Sequence, residues 1–219
     1  MTKAIRLYYT LTMRTKDKLS GQKRPTFTET ARRAQLIECA IETIATLGYI
    51  QTSLAQIAKR AGISKGVIVY YFSSKEALIE QIVEGIYAAA GSFMGPQIAA
   101  QSTPTSMLET YLRSNIAYIA AHRMQMMALL EIVLSARTED GQRRYHPGAE
   151  EPDLEALEAI LRQGQEKGEF RAFDLRVMAA TIRGAIDEAA LFLVAHPTLD
   201  GEVYAQELVT LFGRATRKE

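Results

Sequence analysis

The sequence predicts an all-α fold in which a small three-helix domain precedes a larger helical domain. Three observations favour this class. Apolar residues recur at helical spacing from residue 28 onward, no strand-like alternation of useful length occurs, and no solenoid-type repeat is present. The 219 residues, 47% hydrophobic and 23% charged, suffice to bury a core in both parts.

The first helix is predicted from Thr28, a suitable N-cap, to Gly48, a suitable stop. Its apolar residues share one helical face: Leu36, Ile37, Ala40, Ile41, Ile44 and Leu47.

Two short helices joined by a tight turn are predicted next. Thr52 or Ser53 caps the first, and Ser64 caps the second, which covers 65–71. The intervening residues 61–64 read AGIS, and a turn of this length containing glycine is typical of a helix-turn-helix.

Further helices are predicted over 75–91, 106–122, 123–136, 152–166, 174–195 and 199–217. Ser74 caps the first of them. Residues 91–104 are expected to form a loop, and the charged segment 137–152 an exposed connection, while Gly168 and Pro197 interrupt the later helices.

Charge is distributed unevenly along the chain. Residues 1–75 hold 13 Lys or Arg against four Asp or Glu, net +9, which leaves 13 basic and 21 acidic residues, net −8, for residues 76–219. A basic first third favours a polyanionic partner such as DNA. A chance run of solvated charges is the alternative interpretation.

Several function classes are disfavoured by composition. Cys39 has no partner for an internal disulfide, and no metal-ligand spacing surrounds His122, His146 or His196. The longest apolar stretches, such as 189–195, are too short to span a membrane. Nucleophile–base pairs and phosphate-binding loops are also missing. We therefore expect a cytoplasmic protein that is not an enzyme and uses no metal or cofactor.

Residues 52–78 read TSLAQIAKRAGISKGVIVYYFSSKEAL and follow a helix ending in Leu47, Gly48 and Tyr49. This run closely resembles the DNA-binding signature of TetR-like (tetracycline-repressor) regulators. The resemblance covers about 50 residues, and beyond them only the number, length and order of the helices agree.

The resemblance implies a ligand-responsive transcriptional regulator, most often a repressor. It would bind a palindromic double-stranded DNA operator as a homodimer and be released by a small effector, for which the apolar residues below favour a hydrophobic molecule. Residues 1–26 would form a basic flexible arm, 27–75 the helix-turn-helix DNA-binding domain, and 76–219 the ligand-binding and dimerisation domain. Activation instead of repression, and an architectural or nucleoid-occlusion protein without an inducer, are alternatives.

The predicted DNA-binding residues lie around the two short helices and at the start of the next one: Thr52, Ser53, Ser64, Lys65, Gly66, Val67, Val69, Tyr70, Tyr71 and Lys75. The core that fixes the motif is expected to comprise Ile57, Ala58, Ile63, Ile68 and Phe72. Phosphate contacts by Thr52, Tyr71 and Lys75 are implied by the resemblance alone.

The second short helix would enter the major groove, with Gly66 allowing close backbone approach. Many relatives carry Thr at position 67 and Tyr or Ser at position 69, whereas this chain has Val67 and Val69. We expect these to contact thymine methyl groups, and Lys65 and Tyr70 to supply the polar readout. The alternative is that both valines only pack locally.

The predicted effector-binding residues come from a region rich in methionine and aromatic side chains and from a few polar positions: Tyr87, Met94, Met107, Tyr111, Asn115, Tyr118, Met127, Glu131, Arg183 and Asp187. Ordinary core packing is the alternative for each. Effector binding between the fourth and seventh helices would move the fourth helix, 75–91, and change the separation of the DNA-reading helices.

The last two predicted helices carry apolar residues with small ones between them, which resembles the four-helix dimer interface of the family. Such a dimer places two reading helices about one DNA turn apart. The basic residues of the arm, Arg14, Lys16, Lys18, Lys23 and Arg24, would contact the DNA backbone or minor groove. A disordered tail, and translation starting at Met13, are alternatives.

Overall fold

The structure of the protein, a computed structural model, describes residues 26–145 and 151–218. This part of the chain contains the helices α1 Phe27–Leu47, α2 Leu54–Arg60, α3 Lys65–Tyr71, α4 Lys75–Ala99, α5 Pro104–Ala121, α6 Arg123–Ser135, α7 Glu151–Glu166, α8 Leu175–Ala195 and α9 Gly201–Thr216. Extended pairing within these residues is limited to two isolated bridges, Arg137 with Arg143 and Phe170 with Arg217. The all-α prediction is confirmed.

The described residues form two compact units. The first comprises 26–88 and 124–145, and the second comprises 89–123 and 151–218. Helix α4 begins in the first unit and ends in the second. The functional boundary predicted at residue 75 stays a prediction.

In the first unit α1 packs on α2, and α2 packs on α3. Helix α1 starts two residues before the predicted position, because Thr26 rather than Thr28 is its N-cap. The Thr26 side chain accepts a hydrogen bond from the Glu29 N–H, and the Glu29 carboxylate accepts one from the Thr26 N–H at 2.7 Å. This reciprocal capping box satisfies two backbone donors at the helix start.

The helix-turn-helix forms as predicted. Ser53, not Thr52, caps α2 in a capping box with Gln56. The turn after α2 contains Gly62 at φ +66°, a left-handed conformation that favours glycine. The residues predicted as its core are buried, except that Ile63 is half-buried: Ile57, Ala58, Ile68 and Phe72.

The predicted loop over 91–104 is wrong. Helix α4 continues through Pro96 to Ala99, and only residues 100–103 connect it to α5. Gly91 and Gly95 are buried, so close packing of the helix backbone outweighs the poor local helix propensity of glycine and proline.

In the second unit α5 packs against α7, α8 and α9, and α8 also packs against α7 and α9. Helix α5 is capped by Thr103 and begins at Pro104, two residues earlier than predicted. The Arg123 guanidinium donates hydrogen bonds to the carbonyls of Leu193, His196 and Leu199 around the end of α8. None of the helices within residues 26–145 and 151–218 combines the length and the apolar composition that a membrane span requires.

Candidate DNA interface and effector site

Helix α3 presents a solvent-exposed face opposite its buried anchor. Ile68 is fully buried beneath it, and Phe72 follows it with 1% exposure. Lys65 is exposed, as are Val69 at 44% and Tyr70 at 75%. Apolar, aromatic and cationic side chains are among the types that contact base edges and thymine methyl groups in protein–DNA complexes.

The start of α3 is not crowded by the rest of the chain. A Cβ atom at Gly66 would meet only the Ser64 Oγ, at 3.8 Å, which is an ordinary contact distance. Ser64 is exposed, and its side chain makes no capping hydrogen bond. Internal packing therefore does not require a glycine at position 66. Val67 is half-buried, which agrees in part with the local-packing alternative.

The hydroxyl groups of the two residues before α2 form hydrogen bonds within the protein. Thr52 is 2% exposed, and its hydroxyl donates to the Gly48 carbonyl at 2.8 Å. Ser53 is exposed, but its hydroxyl donates to Gln56 Oε1 at 2.8 Å as part of the capping box. To bind phosphate, each hydroxyl would have to share or break its hydrogen bond within the protein. The predicted phosphate contacts of Thr52 and Ser53 stay predictions.

Lys75 and Tyr71 are both half-buried. The Lys75 Nζ donates to the Tyr49 carbonyl at 2.8 Å and lies 4.2 Å from the centroid of the Tyr49 ring. Burial lowers the pKa of the Lys75 ammonium. The Tyr71 ring meets the Tyr70 ring edge-on at 5.1 Å. In this structure Lys75 thus holds the Tyr49 backbone, and its predicted phosphate contact stays untested.

Glu131, on α6, contacts the backbone of the same residue, Tyr49. Its Oε2 accepts a hydrogen bond from the Tyr49 N–H at 3.2 Å, and a Cβ atom at Gly48 would lie 3.1 Å from that oxygen. The Gly48 φ of +79° also favours glycine. Tyr49 is therefore held from α6 through its N–H and from α4 through its carbonyl. Sequence reasoning assigned Glu131 to the effector set and did not anticipate this contact.

Four predicted effector residues come together in the second unit. The Arg183 Nη1 lies 3.3 Å from Asn115 Oδ1 and 3.5 Å from the Tyr111 hydroxyl. The guanidinium also forms an ion pair with Asp187, with Nη2–Oδ1 at 2.8 Å. Arg183 and Asp187 come from α8, and the other two come from α5, so the α5–α8 contact assembles this polar cluster.

Aromatic residues extend this side of α5. The Tyr118 ring is stacked on His122 at 4.1 Å and lies 5.7 Å from the Phe93 ring. Met107 is buried in the same unit, and Met94 is half-buried.

The other three predicted effector residues lie in the first compact unit: Tyr87, Met127 and Glu131. Tyr87 and Met127 are each 38% exposed. Ligand binding by any of the ten residues stays a prediction. The basic residues predicted in the arm lie outside the described residues.

The chain's similarity to known proteins agrees with this geometry. The family described as bacterial regulatory proteins of the tetR family matches residues 36–82, which span most of α1, all of α2 and α3, and the start of α4. The fatty acid metabolism regulator protein of Bacillus subtilis is 28% identical over 174 residues, covering 76% of this chain and 82% of the relative. The chain is TetR-like in its helix-turn-helix region and in its overall fold.

Other relatives extend the comparison. The regulator BetI of Yersinia pestis is 36% identical over 86 residues, which are 38% of this chain and 43% of BetI. The solved structure of the transcriptional regulator FadR from B. subtilis in complex with stearoyl-CoA matches with a TM-score of 0.70 and 25% identity, covering 81% of this chain and 96% of FadR.

These findings support a ligand-responsive transcriptional repressor. Its named relatives are transcriptional regulators. An architectural or nucleoid-occlusion role without an effector is not favoured by them.

Proposed function

We propose that the protein binds a palindromic operator as a homodimer, inserting α3 of each subunit into the major groove, and releases it when a hydrophobic acyl effector binds. The observation that carries the DNA part is the outward face of α3. A cation, a valine and a tyrosine are exposed there beside Gly66, whose side-chain position is open to an approaching partner. Absence of a side chain lets the duplex approach the α3 backbone closely.

Base readout is assigned to Lys65 and Tyr70, with Val69 contacting a thymine methyl group. An operator selected from random duplexes, titrated by fluorescence anisotropy, tests this assignment. Lys65→Ala should weaken operator binding by about 1–3 kcal/mol, roughly 5- to 150-fold, while changing affinity for unrelated duplex less. Lys59→Ala, at an exposed lysine of α2, is the matched control. An equal loss on every duplex would reject base reading by Lys65.

The remaining predicted contacts, Thr52, Ser53, Ser64, Tyr71 and Lys75, are proposed to bind phosphate and fix the register. For Lys75 this requires its ammonium to leave, or to share, the Tyr49 carbonyl. Lys75→Gln should then lower the slope of log affinity against log salt by about one. An unchanged slope would assign Lys75 only to holding Tyr49.

Dimerisation is proposed through α8 and α9. Val177, Gly184 and Leu191 recur every seven residues along α8, and α9 exposes Val203 and Leu211 at 57% and 59%. Within a single chain a Cβ at Gly184 would meet nothing within 4 Å, so close approach of a second helix is sterically open there. A two-fold dimer accounts for these uncovered apolar side chains.

Sedimentation analysis of a Leu211→Glu variant tests this interface. The variant should be monomeric, because a charge would be buried in the interface without a partner. Met124→Glu, at another exposed apolar residue outside α8 and α9, should leave the dimer intact. A dimeric Leu211→Glu protein would exclude this face.

The effector is proposed to be an acyl compound that uses the Arg183 cluster as its polar anchor. The B. subtilis relative is named for fatty acid metabolism, and FadR binds stearoyl-CoA. The Arg183 side chain is only 17% exposed and sits beside the buried Tyr111 and Asn115, so an anion reaching it would be shielded from water.

Helix α4 extends from the helix-turn-helix unit into the unit that holds this cluster, which makes it the proposed transmitter. Stearoyl-CoA should release the protein from the operator, whereas free CoA should not. Equal affinity of free and operator-bound protein for stearoyl-CoA would refute the coupling. Such a repressor would act by binding alone and would not be an enzyme. We expect it to work in the cytoplasm.

A further inference from the structure

A cavity lies in the 89–123 and 151–218 unit, apart from the Arg183 cluster. It is half-open, about 470 Å³ in volume, and lies between the first turns of α5, the turn at 168–170 and the last turns of α9. This size falls within the range of small-molecule sites, about 300–1,000 Å³.

The cavity and the Arg183 cluster use different faces of α5. Leu108 and Leu112, one helical turn apart, line the cavity, whereas Tyr111 and Asn115 reach Arg183 from a neighbouring face. The two sites are therefore separate on the same helix.

The floor of the cavity is apolar and well packed. Leu108, Leu112 and Phe170 are each less than 5% exposed. Phe170 is seated directly against Gly164, whose hydrogen atom leaves room for the ring. The Phe170 segment is further tied to α9 by the Arg171 N–H, which donates to the Thr216 carbonyl at 2.9 Å.

The groove between α5 and α9 is filled at one end and open at the other. At the filled end Arg113 forms an ion pair with Glu202 at 2.6 Å and donates to Gln206. Two turns further along α9, Gly213 carries no side chain, and a Cβ atom there would meet nothing within 4 Å. Gly213 lines the cavity, and the space at its Cβ position is open.

The acidic and the basic side chains around the cavity differ in whether they form ion pairs or hydrogen bonds. Glu109 is paired with Arg113 at 3.2 Å, and the Glu169 carboxylate accepts hydrogen bonds from both the N–H and the hydroxyl of Thr105. In the described part of the chain, the cationic side chains lining the cavity make neither a hydrogen bond nor an ion pair: Arg214, Arg217 and Lys218. The two acidic side chains are thus already paired or hydrogen-bonded, whereas the three cationic side chains can bind an anion.

We propose that this cavity binds an amphipathic anion, a linear apolar chain ending in a carboxylate or phosphate. The chain lies on Leu108, Leu112 and Phe170, and the anionic end is held by Arg214, Arg217 and Lys218. Charge-assisted hydrogen bonds from guanidinium to such an anion are strong, and an apolar floor adds burial of the chain. The site is distinct from the effector site proposed at Arg183.

Calorimetric titration of the full chain with decanoate and with decyl phosphate tests the proposal. Gly213→Phe fills the cavity and should abolish binding, whereas the matched Gly213→Ala should retain it. Arg217→Gln should weaken binding about tenfold by removing one charge-assisted contact. Because the effector proposed at Arg183 is also an acyl compound, each titration is repeated in the Arg183→Ala background, where binding to this cavity should persist. Thermal melting checks that each variant is folded.

Several results would overturn the proposal. Absence of binding by both probes would do so, as would binding that survives Gly213→Phe in the Arg183→Ala background. Loss of binding in Arg183→Ala with retention in Gly213→Phe would assign the probes to the other site. Decan-1-ol binding as tightly as decanoate would reject a role for the cations. The tighter of the two anions identifies which headgroup the site takes.

Discussion

Replacing Gly164 with alanine should destabilise the protein, although the same change usually stabilises a helix. In a helix interior, alanine is favoured over glycine by about 0.5–1 kcal/mol. At Gly164 in α7, however, a Cβ atom would lie 2.0 Å from Phe170 Cδ2 and 2.3 Å from Cε2. These atoms belong to a ring that is 4% exposed, so the ring must leave its site.

The size of the effect follows from what the ring loses. Displacing a buried phenylalanine costs about 3 kcal/mol, and the helix propensity of alanine offsets about 1 kcal/mol of this. The expected net loss is about 2 kcal/mol, which corresponds to a melting midpoint lower by about 4–8 °C for a chain of this length. Calorimetric or circular dichroism melting measures it at fixed protein concentration.

Gly213→Ala is the matched control, since a Cβ atom there meets nothing within 4 Å in the same compact unit. It should leave the midpoint unchanged or slightly raised. In a Phe170→Ala background the cost of Gly164→Ala should largely disappear, because the clashing ring is gone. A raised midpoint for Gly164→Ala, or an equal loss in both backgrounds, would refute the steric reasoning.

Three other predictions concern backbone groups held by side chains. Glu131→Ala should lower the free energy of unfolding by about 1–2 kcal/mol because the half-buried Tyr49 N–H loses its charged acceptor, and Glu131→Gln should lose less; equal urea midpoints for the two variants would contradict this. Ser53→Ala should cost about 1 kcal/mol at the α2 N-cap, with Ser53→Asp restoring it, and failure of Asp to restore the urea midpoint would argue against capping. Arg123→Ala should cost about 2 kcal/mol by leaving three carbonyls without their donor, and an unchanged thermal midpoint for it would show that water replaces the guanidinium.

The helix-turn-helix was predictable because its determinants are close together in sequence. Caps such as Ser53, the turn glycine Gly62 and the buried Ile57 and Ile68 act over three to eleven residues. The exposed face of α3 follows from the same helical period, so the sequence predicts the exposure of Lys65, Val69 and Tyr70. Their contact with DNA stays a prediction.

Local sequence signals gave the wrong helix boundary where tertiary packing outweighed helix propensity. Gly91, Gly95 and Pro96 indicate a loop by composition, yet α4 continues through them because its backbone is packed. Thr28 satisfied the N-cap preference as well as Thr26 did, and only the reciprocal bonds with Glu29 distinguish the two.

The sequence by itself determined the all-α class, the helix-turn-helix motif and the resemblance to TetR-like regulators, since each depends on residue types at short fixed spacings. Tertiary structure alone decided which distant side chains meet. It joined Glu131 to Tyr49 across 82 positions, assembled the Arg183 cluster from α5 and α8, and left a cavity beside Gly213. Helical periodicity specifies the face on which a residue lies, whereas the partner of that face depends on packing between segments far apart in the chain.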